Sequence, residues 1–244
     1  MRAASIDRSG PPETIEIVTM PTPVPGRGEL LVRVEAAAVT SGDARLRAGR
    51  FPRGFGLPAR LGVGIRGPRR RVPGIVFSGR VEGTAAGVAG VSTGDAVAGM
   101  TGIRLGAHAE YLTVPVTATS RLPGNATHEA AAGALFGGTT ALHFLRDRAR
   151  LRAGQTVLVN GASGSVGTAA VQLAVHLGAT VTAVSSGPNH GLLRRLGATQ
   201  TVDYRETPAA GLNQCFDVVF DAVGNLSRAD GLRLAGARGT VILA

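Results

Sequence analysis

Short runs of strand-forming residues, bounded by glycine or proline, dominate the N-terminal part of the chain. The runs IEIVTM and LLVRVEAAAV flank a proline- and glycine-rich segment that stops any helix, and others follow at 74–81, 95–100 and 109–114. This pattern predicts a small, mostly β domain, which we place over residues 1–125. Residues 45–71, rich in arginine, glycine and proline, show neither the helical nor the strand period and are interpreted as a long loop.

The pattern changes over residues 126–244. An apolar, helix-compatible run over 127–148 is interrupted at Gly137-Gly138, so we expect two short helices there. From Gln155 onward, helices predicted over 165–177 and 190–196 alternate with the strands TVLVN, TVTAVSS, QTVD, FDVVFDAV and GTVILA. Alternating β and α units predict an α/β domain built on a doubly wound parallel sheet.

The glycine-rich turn after TVLVN carries the strongest functional signal. Gly161, Gly164 and Gly167 are spaced GxxGxxG, and the predicted helix that follows has one apolar face. Such a turn lets the backbone approach a pyrophosphate and aims the positive end of a helix at the anion. The spacing alone also fits a tight strand-to-helix turn, but the preceding strand, the helix and the next strand favour dinucleotide binding.

The end of the second strand decides which dinucleotide the sequence favours. A site for NAD places Asp or Glu about 20 residues beyond the glycines, where it binds the ribose 2′-hydroxyl. The first acidic residue after Gly167 is Asp203, and the strand ends instead at Ser185-Ser186, with Asn189 and two arginines following. Hydroxyls with cationic neighbours suit a 2′-phosphate, so the sequence predicts NADP(H). For the two arginines, a solvated helix face remains the alternative.

Composition excludes several classes of chemistry. All 26 cationic side chains are arginine, so neither a Schiff-base lysine nor a Walker-type phosphate loop can be present. Cys215 is the one cysteine, which excludes an internal disulfide and a thiolate cluster for structural zinc. We expect a reducing, cytoplasmic location and no membrane partner, because no signal peptide and no apolar run long enough for a bilayer is present.

The net charge of +10 raises nucleic acid as a second class of partner, with basic clusters at 66–71 and 146–152. However, aromatic residues make up only 4% of the chain, tryptophan is absent, and no helix-turn-helix or RNA-stacking motif occurs. We therefore interpret the arginine excess as solvated surface charge and expect no nucleic-acid partner. A basic nucleic-acid-binding protein is kept as the second alternative.

Four segments stand in a specific order along the chain: PVPGRGELLVRVEAAAVT, GAHAEYLTVP, FGGTTALHFL and VLVNGASGSVGTAAVQLA. Together they resemble the medium-chain dehydrogenase/reductase superfamily, in its zinc-independent quinone-oxidoreductase-like (zeta-crystallin-like) branch. The resemblance covers essentially the entire chain. It implies an N-terminal GroES-like substrate domain, a C-terminal Rossmann domain, and NADPH-dependent reduction of a small-molecule quinone or α,β-unsaturated carbonyl (enone or enal).

Zinc-dependent members of that superfamily carry a His-Glu pair after a Pro-Gly dipeptide and a catalytic cysteine after the EAAAV segment. This chain has Ile-Val directly after Pro73-Gly74, and Thr40-Ser41 in the cysteine region. Neither pair supplies zinc ligands. We therefore expect no catalytic zinc and no other bound metal.

The resemblance also implies cofactor-binding roles residue by residue. Thr140 would lie near the cofactor phosphates and the nicotinamide, and the pyrophosphate turn consists of Gly161, Ala162, Ser163, Gly164, Ser165, Val166 and Gly167. The adenosine end with its 2′-phosphate would be bound by Ser185, Ser186, Tyr204 and Arg205. The loop under the nicotinamide ribose contains Val223 and Gly224. On the substrate side we place Thr40, Ser41 and Asp43 as candidate catalytic residues. Asp43 matches an acid often found in the substrate cleft, and a loop or helix-capping role is its alternative. Arg45 stands where some quinone reductases have a tyrosine, so no proton donor is assigned.

The strand count gives a further expectation. A doubly wound sheet of order 3-2-1-4-5-6 has six strands, whereas the chain reaches Ala244 on the fifth. We expect a Rossmann sheet lacking its last strand, an exposed edge, and weak or absent turnover unless an oligomer partner or a second polypeptide completes the sheet. The first alternative is therefore a truncated, catalytically weak or inactive nucleotide-binding homologue, and the sequence leaves a homo-oligomer open.

Overall fold

Residues 1–50, 64 and 68–243 are described by a computed structural model, in which the chain divides into two units, Met1–Leu135 and Phe136–Ala244. Most of the loop predicted over 45–71, including Arg66 of the first basic cluster, lies outside the described residues. No helix among those described combines the length and apolar content needed to cross a bilayer.

The first unit is mostly β, as expected, and its strands pair antiparallel. Its strands are β1 (Arg2–Ile6), β2 (Ile15–Thr19), β3 (Glu29–Ala38), β4 (Val76–Thr84), β5 (Ala96–Met100), β6 (Tyr111–Pro115) and β7 (Thr119–Arg121). Short 3-10 turns lie at Pro12–Thr14, Gly102–Arg104 and Val116–Ala118. Strands β1 and β2 form a pair, and the other strands form a sheet of order β6-β3-β4-β5-β7.

The core of this unit lies on one face of the larger sheet. Alternate residues such as Leu30 and Val32 on β3, and Leu112 and Val114 on β6, are buried around Phe77. The central strands approach closely at Gly79, where a Cβ atom would lie 2.0 Å from the carbonyl oxygen of Arg33. The strand patterning of the sequence is therefore confirmed, although β1 and β7 were not predicted.

A helix not expected from the pattern follows β3. Helix α1 (Ser41–Ala48) begins at the N-cap residue Thr40 and ends at Gly49, whose φ of +65° suits glycine. The expectation of an irregular loop is therefore wrong for residues 45–48. The sequence SGDARLRA has too few apolar residues to show a helical period, so its capping residues fix the helix instead.

Residues 128–148 form one uninterrupted helical segment, so the expected division into two short helices is wrong. Helix α2 (His128–Ala141) continues directly as a π-helix over Leu142–Arg148. Gly137 does not break the helix because its role is in packing. A Cβ atom there would lie 2.2 Å from the carbonyl oxygen of Ser165, so only glycine lets the two backbones meet.

The second unit contains the doubly wound parallel sheet. Its strands are β8 (Thr156–Asn160), β9 (Thr180–Ser185), β10 (Gln200–Asp203), β11 (Val218–Asp221) and β12 (Thr240–Leu243). Its helices are α3 (Ser165–His176), α4 (His190–Arg195) and α5 (Arg228–Ala235), with 3-10 turns at Gly187–Asn189 and Ala209–Gly211. The strand order β10-β9-β8-β11-β12 is the expected 3-2-1-4-5, and every pair is parallel. The predicted α/β fold class is confirmed.

Both faces of the parallel sheet are covered. Val157 and Val159 of β8 pack into one apolar cluster with residues of α3, such as Ala170 and Ala174. Leu158, which points to the other face, packs into a second cluster with residues of α5, Leu234 and Ala235. Two-sided burial explains why the strands have continuous apolar runs rather than alternating ones.

Candidate functional site

The glycine turn is fixed by backbone contacts between β8, β9 and α3. The N–H groups of Gly161 and Ala162 donate to the carbonyl oxygen of Val184 at 3.1 and 2.9 Å, which ties the turn to the end of β9. A Cβ atom on Gly167 would lie 2.1 Å from the carbonyl oxygen of Gly161. The third glycine of the motif therefore lets the first turn of α3 rest directly on the glycine turn.

Gly164 differs from its neighbours in the motif. It is the exposed N-cap residue of α3, with φ −77°, and a Cβ atom on it would have the Gly161 carbonyl oxygen, at 3.5 Å, as its one neighbour within 4 Å. Nothing in the described chain therefore requires glycine there. The first-turn N–H groups of a helix have no intrahelical acceptor and attract anions. The turn thus offers a cradle that a Cβ would fill, and a pyrophosphate fits it.

The other predicted residues of the turn lie around this cradle. Ala162 is buried, Ser163 is half-buried, and Ser165 and Val166 belong to the first turn of α3. Thr140 lies on α2 three residues beyond Gly137, which packs against Ser165. Its hydroxyl donates to the carbonyl oxygen of Phe136 at 2.8 Å. Thr140 is thus held by its own helix next to the segment that contacts the glycine turn.

Strands β8 to β11 all end in a polar residue, and we call these residues the strand-end row: Asn160, Ser185, Asp203 and Asp221. Asn160 is directly opposite Asp221 in the ladder, and Ser185 is directly opposite Asp203. The carboxyl ends of parallel strands meet at one edge of a sheet, where doubly wound proteins bind their ligands. The row therefore lies at the same edge as the glycine turn.

Ser185 and Ser186 lie where the 2′-phosphate was predicted, but their hydroxyls already have local partners. The Ser185 hydroxyl is buried and donates to the carbonyl oxygen of Ser186 at 3.1 Å. The Ser186 hydroxyl accepts from the side-chain amide of Asn189 at 2.9 Å. The N–H of Gly187 donates to the carboxylate of Asp203 at 2.7 Å.

Asp203 is a residue of this region that sequence reasoning did not assign to the site. The backbone N–H of Arg205, and after it that of Gly187, hold the pKa of Asp203 below its ordinary value. The next residue, Tyr204, is half exposed, and the Arg205 guanidinium lies 6.0 Å from the centre of its ring. The adenosine end of the candidate site therefore carries one anionic and one cationic side chain.

The lowered pKa of Asp203 predicts an acid-sensitive contribution to stability. Since its pKa is lower in the folded chain, this contribution is present above the unfolded value of about 3.9 and is lost as the pH falls through the folded pKa. We expect Asp203→Asn to lower the melting temperature at about pH 7, and the difference from the wild type to shrink as the pH falls below about 3.9. Calorimetry across that range would contradict this if the difference between the two proteins stayed constant.

The loop after β11 contacts the glycine turn. A Cβ atom on Gly161 would lie 2.5 Å from Cγ2 of Val223, so the predicted residue Val223 is beside the turn, and the predicted residue Gly224 follows it in the chain. Hydrogen bonds to Asp221 and Asn160 hold this loop in place, and neither residue was predicted from the sequence. Their signal is a polar residue at the end of an apolar strand run, TVLVN in one case and VVFD in the other.

On the first unit, the substrate-side candidates form a capping box. The Thr40 N–H and hydroxyl both donate to Oδ2 of Asp43, at 2.8 and 2.7 Å, and the Thr40 hydroxyl accepts from the Asp43 N–H at 3.3 Å. Ser41 is the exposed first residue of α1. Asp43 is only 5% exposed, and its Oδ1 has no hydrogen-bond partner in the structure. The capping alternative thus accounts for one carboxylate oxygen of Asp43 and leaves the other unexplained.

The described residues contain no group of three His, Cys, Asp or Glu side chains that could hold a metal ion. The residues outside the description, 51–63, 65–67 and 244, include none of these four types. The pair that follows Pro73-Gly74, Ile75-Val76, is apolar, and Thr40 is engaged with Asp43. None of the three residues Ile75, Val76 and Thr40 offers a side chain of the kinds that usually bind zinc.

Comparison with known proteins places this geometry in a family. The alcohol dehydrogenase GroES-like domain family matches residues 26–124, and the zinc-binding dehydrogenase family matches residues 165–244. A quinone oxidoreductase from Pseudomonas aeruginosa is 32% identical over 240 residues, covering 96% of this chain and 70% of that protein. A synaptic vesicle membrane protein VAT-1 homolog from Mus musculus is 33% identical over 226 residues, covering 90% of this chain. This chain spans only 52% of the length of that mouse protein.

Solved structures agree with these relatives. The quinone oxidoreductase from Coxiella burnetii superposes with a TM-score of 0.87 at 30% identity, over 99% of this chain and 74% of that one. A mycobacterial protein solved in complex with NADPH superposes with a TM-score of 0.82 at 32% identity, over 100% of this chain and 73% of that one. The chain therefore belongs to the medium-chain dehydrogenase/reductase superfamily, as a quinone-oxidoreductase-like member.

Proposed function

We propose that this chain is a zinc-independent, NADPH-dependent oxidoreductase that transfers a hydride to a quinone or an α,β-unsaturated carbonyl. The observation that carries the proposal is the open cradle at Gly164, at the N-terminus of α3 and beside the carboxyl ends of β8 and β11. A dinucleotide is the ligand class that this combination of turn, helix and strand order recognises. The quinone oxidoreductases among its relatives support the reaction class.

NADP(H) is preferred to NAD(H) because β9 ends in Ser185 and Ser186 rather than in an acid that would bind the 2′-hydroxyl. The NADPH complex of the mycobacterial relative supports the same choice. The carboxylate of Asp203 opposes it, since it lies next to this strand end. Arg205, together with the serine hydroxyls, is the group that would offset the repulsion between this carboxylate and a 2′-phosphate.

When bound, the cofactor supplies the hydride, and the chain supplies orientation and a polar environment. The N–H groups in the first turn of α3 would bind the pyrophosphate, while Val223 and Gly224 would limit its position on the β11 side. Thr40, Ser41 and Asp43 are proposed as the polar groups on the substrate side. A buried carboxylate with one unpaired oxygen, such as that of Asp43, could hold a hydroxyl or a water in place there.

The proposal is tested by titrating the purified chain with NADPH and NADH, following nucleotide fluorescence, and then assaying oxidation of NADPH by 1,4-benzoquinone. We expect saturable NADPH binding, weaker NADH binding, and NADPH oxidation that depends on the quinone. Tight NADH binding without NADPH binding would refute the cofactor choice. NADPH binding without turnover would favour the inactive nucleotide-binding homologue, and salt-sensitive DNA binding with neither nucleotide would favour a nucleic-acid partner.

Asp43 can be tested separately from its capping role. We expect Asp43→Asn to lower kcat with 1,4-benzoquinone by up to about a hundredfold, because the carboxylate that would hold a hydroxyl or a water in place is lost. The matched control is Asp230→Asn, because the Ser227 hydroxyl at the start of α5 likewise donates to the Asp230 carboxylate and accepts from the Asp230 N–H. Each variant should lose no more than about 2 kcal/mol of stability in urea unfolding. If kcat is unchanged in Asp43→Asn, Asp43 acts only as a cap.

A further inference from the structure

Asp221 is a fully buried carboxylate whose oxygens accept four hydrogen bonds. Its Oδ1 accepts from the Asn160 side-chain amide at 2.9 Å and from the N–H groups of Val223 and Gly224 at 2.9 and 3.1 Å. Its Oδ2 accepts from the N–H of Leu226 at 2.9 Å. Three of these donors belong to the backbone of the loop that follows β11, so one side chain determines the conformation of that loop.

Asn160 links the same loop to the neighbouring strand. Its side-chain amide donates both to Asp221 and, at 2.7 Å, to the side-chain oxygen of Asn225. The backbone carbonyl of Asn160 also accepts from the N–H of Ala222 at 3.0 Å. Because Gly161 follows Asn160 directly, the pyrophosphate turn and the loop after β11 share one hydrogen-bonded support.

The position of this support in the sheet indicates which half of a dinucleotide it serves. The chain order reverses between β8 and β11, and a doubly wound sheet binds a dinucleotide across the crevice at that reversal. The nucleoside with the 2′-phosphate belongs at the end of β9, on one side of β8. The other nucleoside would then lie on the β11 side, over residues 222–226, of which Val223, Gly224 and Asn225 are exposed.

We propose that Asp221 is a positioning residue for the nicotinamide half of the cofactor, acting by fixing the loop over 222–226 against the glycine turn. The inference rests on the proposed function, because it assumes a dinucleotide in the crevice. The N–H groups of Val223 and Gly224 donate to the buried carboxylate of Asp221. The exposed surface of the loop is therefore available to the ligand. A loop that is ordered before binding loses no further conformational entropy when the ligand binds, so binding is tighter.

The test compares a whole dinucleotide with its adenosine half. The full chain carrying Asp221→Asn is titrated with NADPH and, separately, with 2′,5′-ADP. We expect the dissociation constant for NADPH to rise about tenfold or more, since an amide replaces an acceptor of charge-assisted bonds, while that for 2′,5′-ADP changes by less than about twofold. The difference between the two ligands is the readout that a general loss of stability would not produce.

Asp217→Asn is the matched control. Asp217 directly precedes β11, at the opposite end from Asp221, and accepts from the N–H and hydroxyl of Thr156 on β8, at 2.8 and 2.9 Å. This variant loses a similar cross-strand carboxylate but should bind both ligands as the wild type does. If Asp221→Asn does not fold, Asn225→Ala, which removes only an exposed acceptor, should show the same difference at about threefold.

The outcomes separate this inference from the proposed function. A wild-type chain that binds neither NADPH nor 2′,5′-ADP refutes the proposed function. A wild-type chain that binds both, with variants that weaken both ligands equally or neither of them, overturns the role of Asp221. Selective weakening of NADPH in Asp221→Asn or Asn225→Ala, with Asp217→Asn unchanged, supports it.

Discussion

Replacing Gly167 with alanine is expected to destabilise the second unit by about 3 kcal/mol or more. The added Cβ would lie 2.1 Å from the carbonyl oxygen of Gly161 and 2.6 Å from the Cα of Ala162. Both atoms belong to the backbone, so no change of rotamer relieves the contact. The helix α3 would have to move away from the glycine turn, which also disrupts the apolar cluster beneath it.

Urea unfolding followed by circular dichroism measures this loss. The matched control is Gly191→Ala in helix α4 of the same unit, where a Cβ atom would meet only a guanidinium nitrogen of Arg195, at 3.7 Å. Alanine at a helical position without a clash should raise stability by about 0.5–1 kcal/mol. Equal stability of the Gly167 and Gly191 variants would show that α3 does not rest on the turn as described.

Replacing Gly164 with alanine is expected to leave folding intact and to weaken NADPH binding by about thirtyfold or more, roughly 2 kcal/mol. Its Cβ would have only an ordinary contact, 3.5 Å from the Gly161 carbonyl oxygen, and its φ of −77° suits any residue. The methyl group would instead fill the space into which a pyrophosphate approaches the helix N-terminus.

The measurement for Gly164→Ala is the same fluorescence titration with NADPH, alongside a melting curve. The melting temperature should stay within about 2 °C of the wild type, a shift that corresponds to at most about 1 kcal/mol. Gly191→Ala again serves as the control, now for binding. Unchanged NADPH affinity in Gly164→Ala would remove the main observation behind the proposed cofactor site.

These two glycines show how far the sequence could lead. The spacing GxxGxxG, its preceding strand and its following helix predicted the turn and its ligand class, because the local pattern determines them. The sequence could not show that packing requires a glycine at position 167, whereas position 164 has space for a Cβ atom. That difference depends on where the backbone of Gly161 lies after folding.

Contacts between distant segments account for the features that were missed. The local sequence predicts a helix break at Gly137, since it does not show that this glycine packs against Ser165 on another helix. Asp203 lies farther along the chain from the glycines than the acid of an NAD site, but β10 places it directly opposite Ser185. Asp221 reaches the crevice from β11 for the same reason. A rule based on the spacing of residues along the sequence does not find residues that belong to a neighbouring strand of the folded sheet.

Helix α1 was missed for a different reason. Its sequence offers no apolar stripe, and the helix is defined by the reciprocal bonds of Thr40 and Asp43 at one end and by Gly49 at the other. A cap at N-cap and N3 can be identified from sequence, but its residues had been assigned to the substrate side. The capping role of Asp43 stood only as the alternative to a catalytic one, and no helix was predicted from it.

The strand-end row also protects the sheet against mispairing. Parallel strands with continuous apolar runs could pair in a shifted register, because a shifted alignment still places apolar side chains against one another. If β11 slid two residues toward the interior along β8, the Asp221 carboxylate would lie among apolar side chains and lose the amide of Asn160. Sliding the other way would expose Phe220, which is now fully buried. The residues that build the candidate site thus also favour a single alignment during folding.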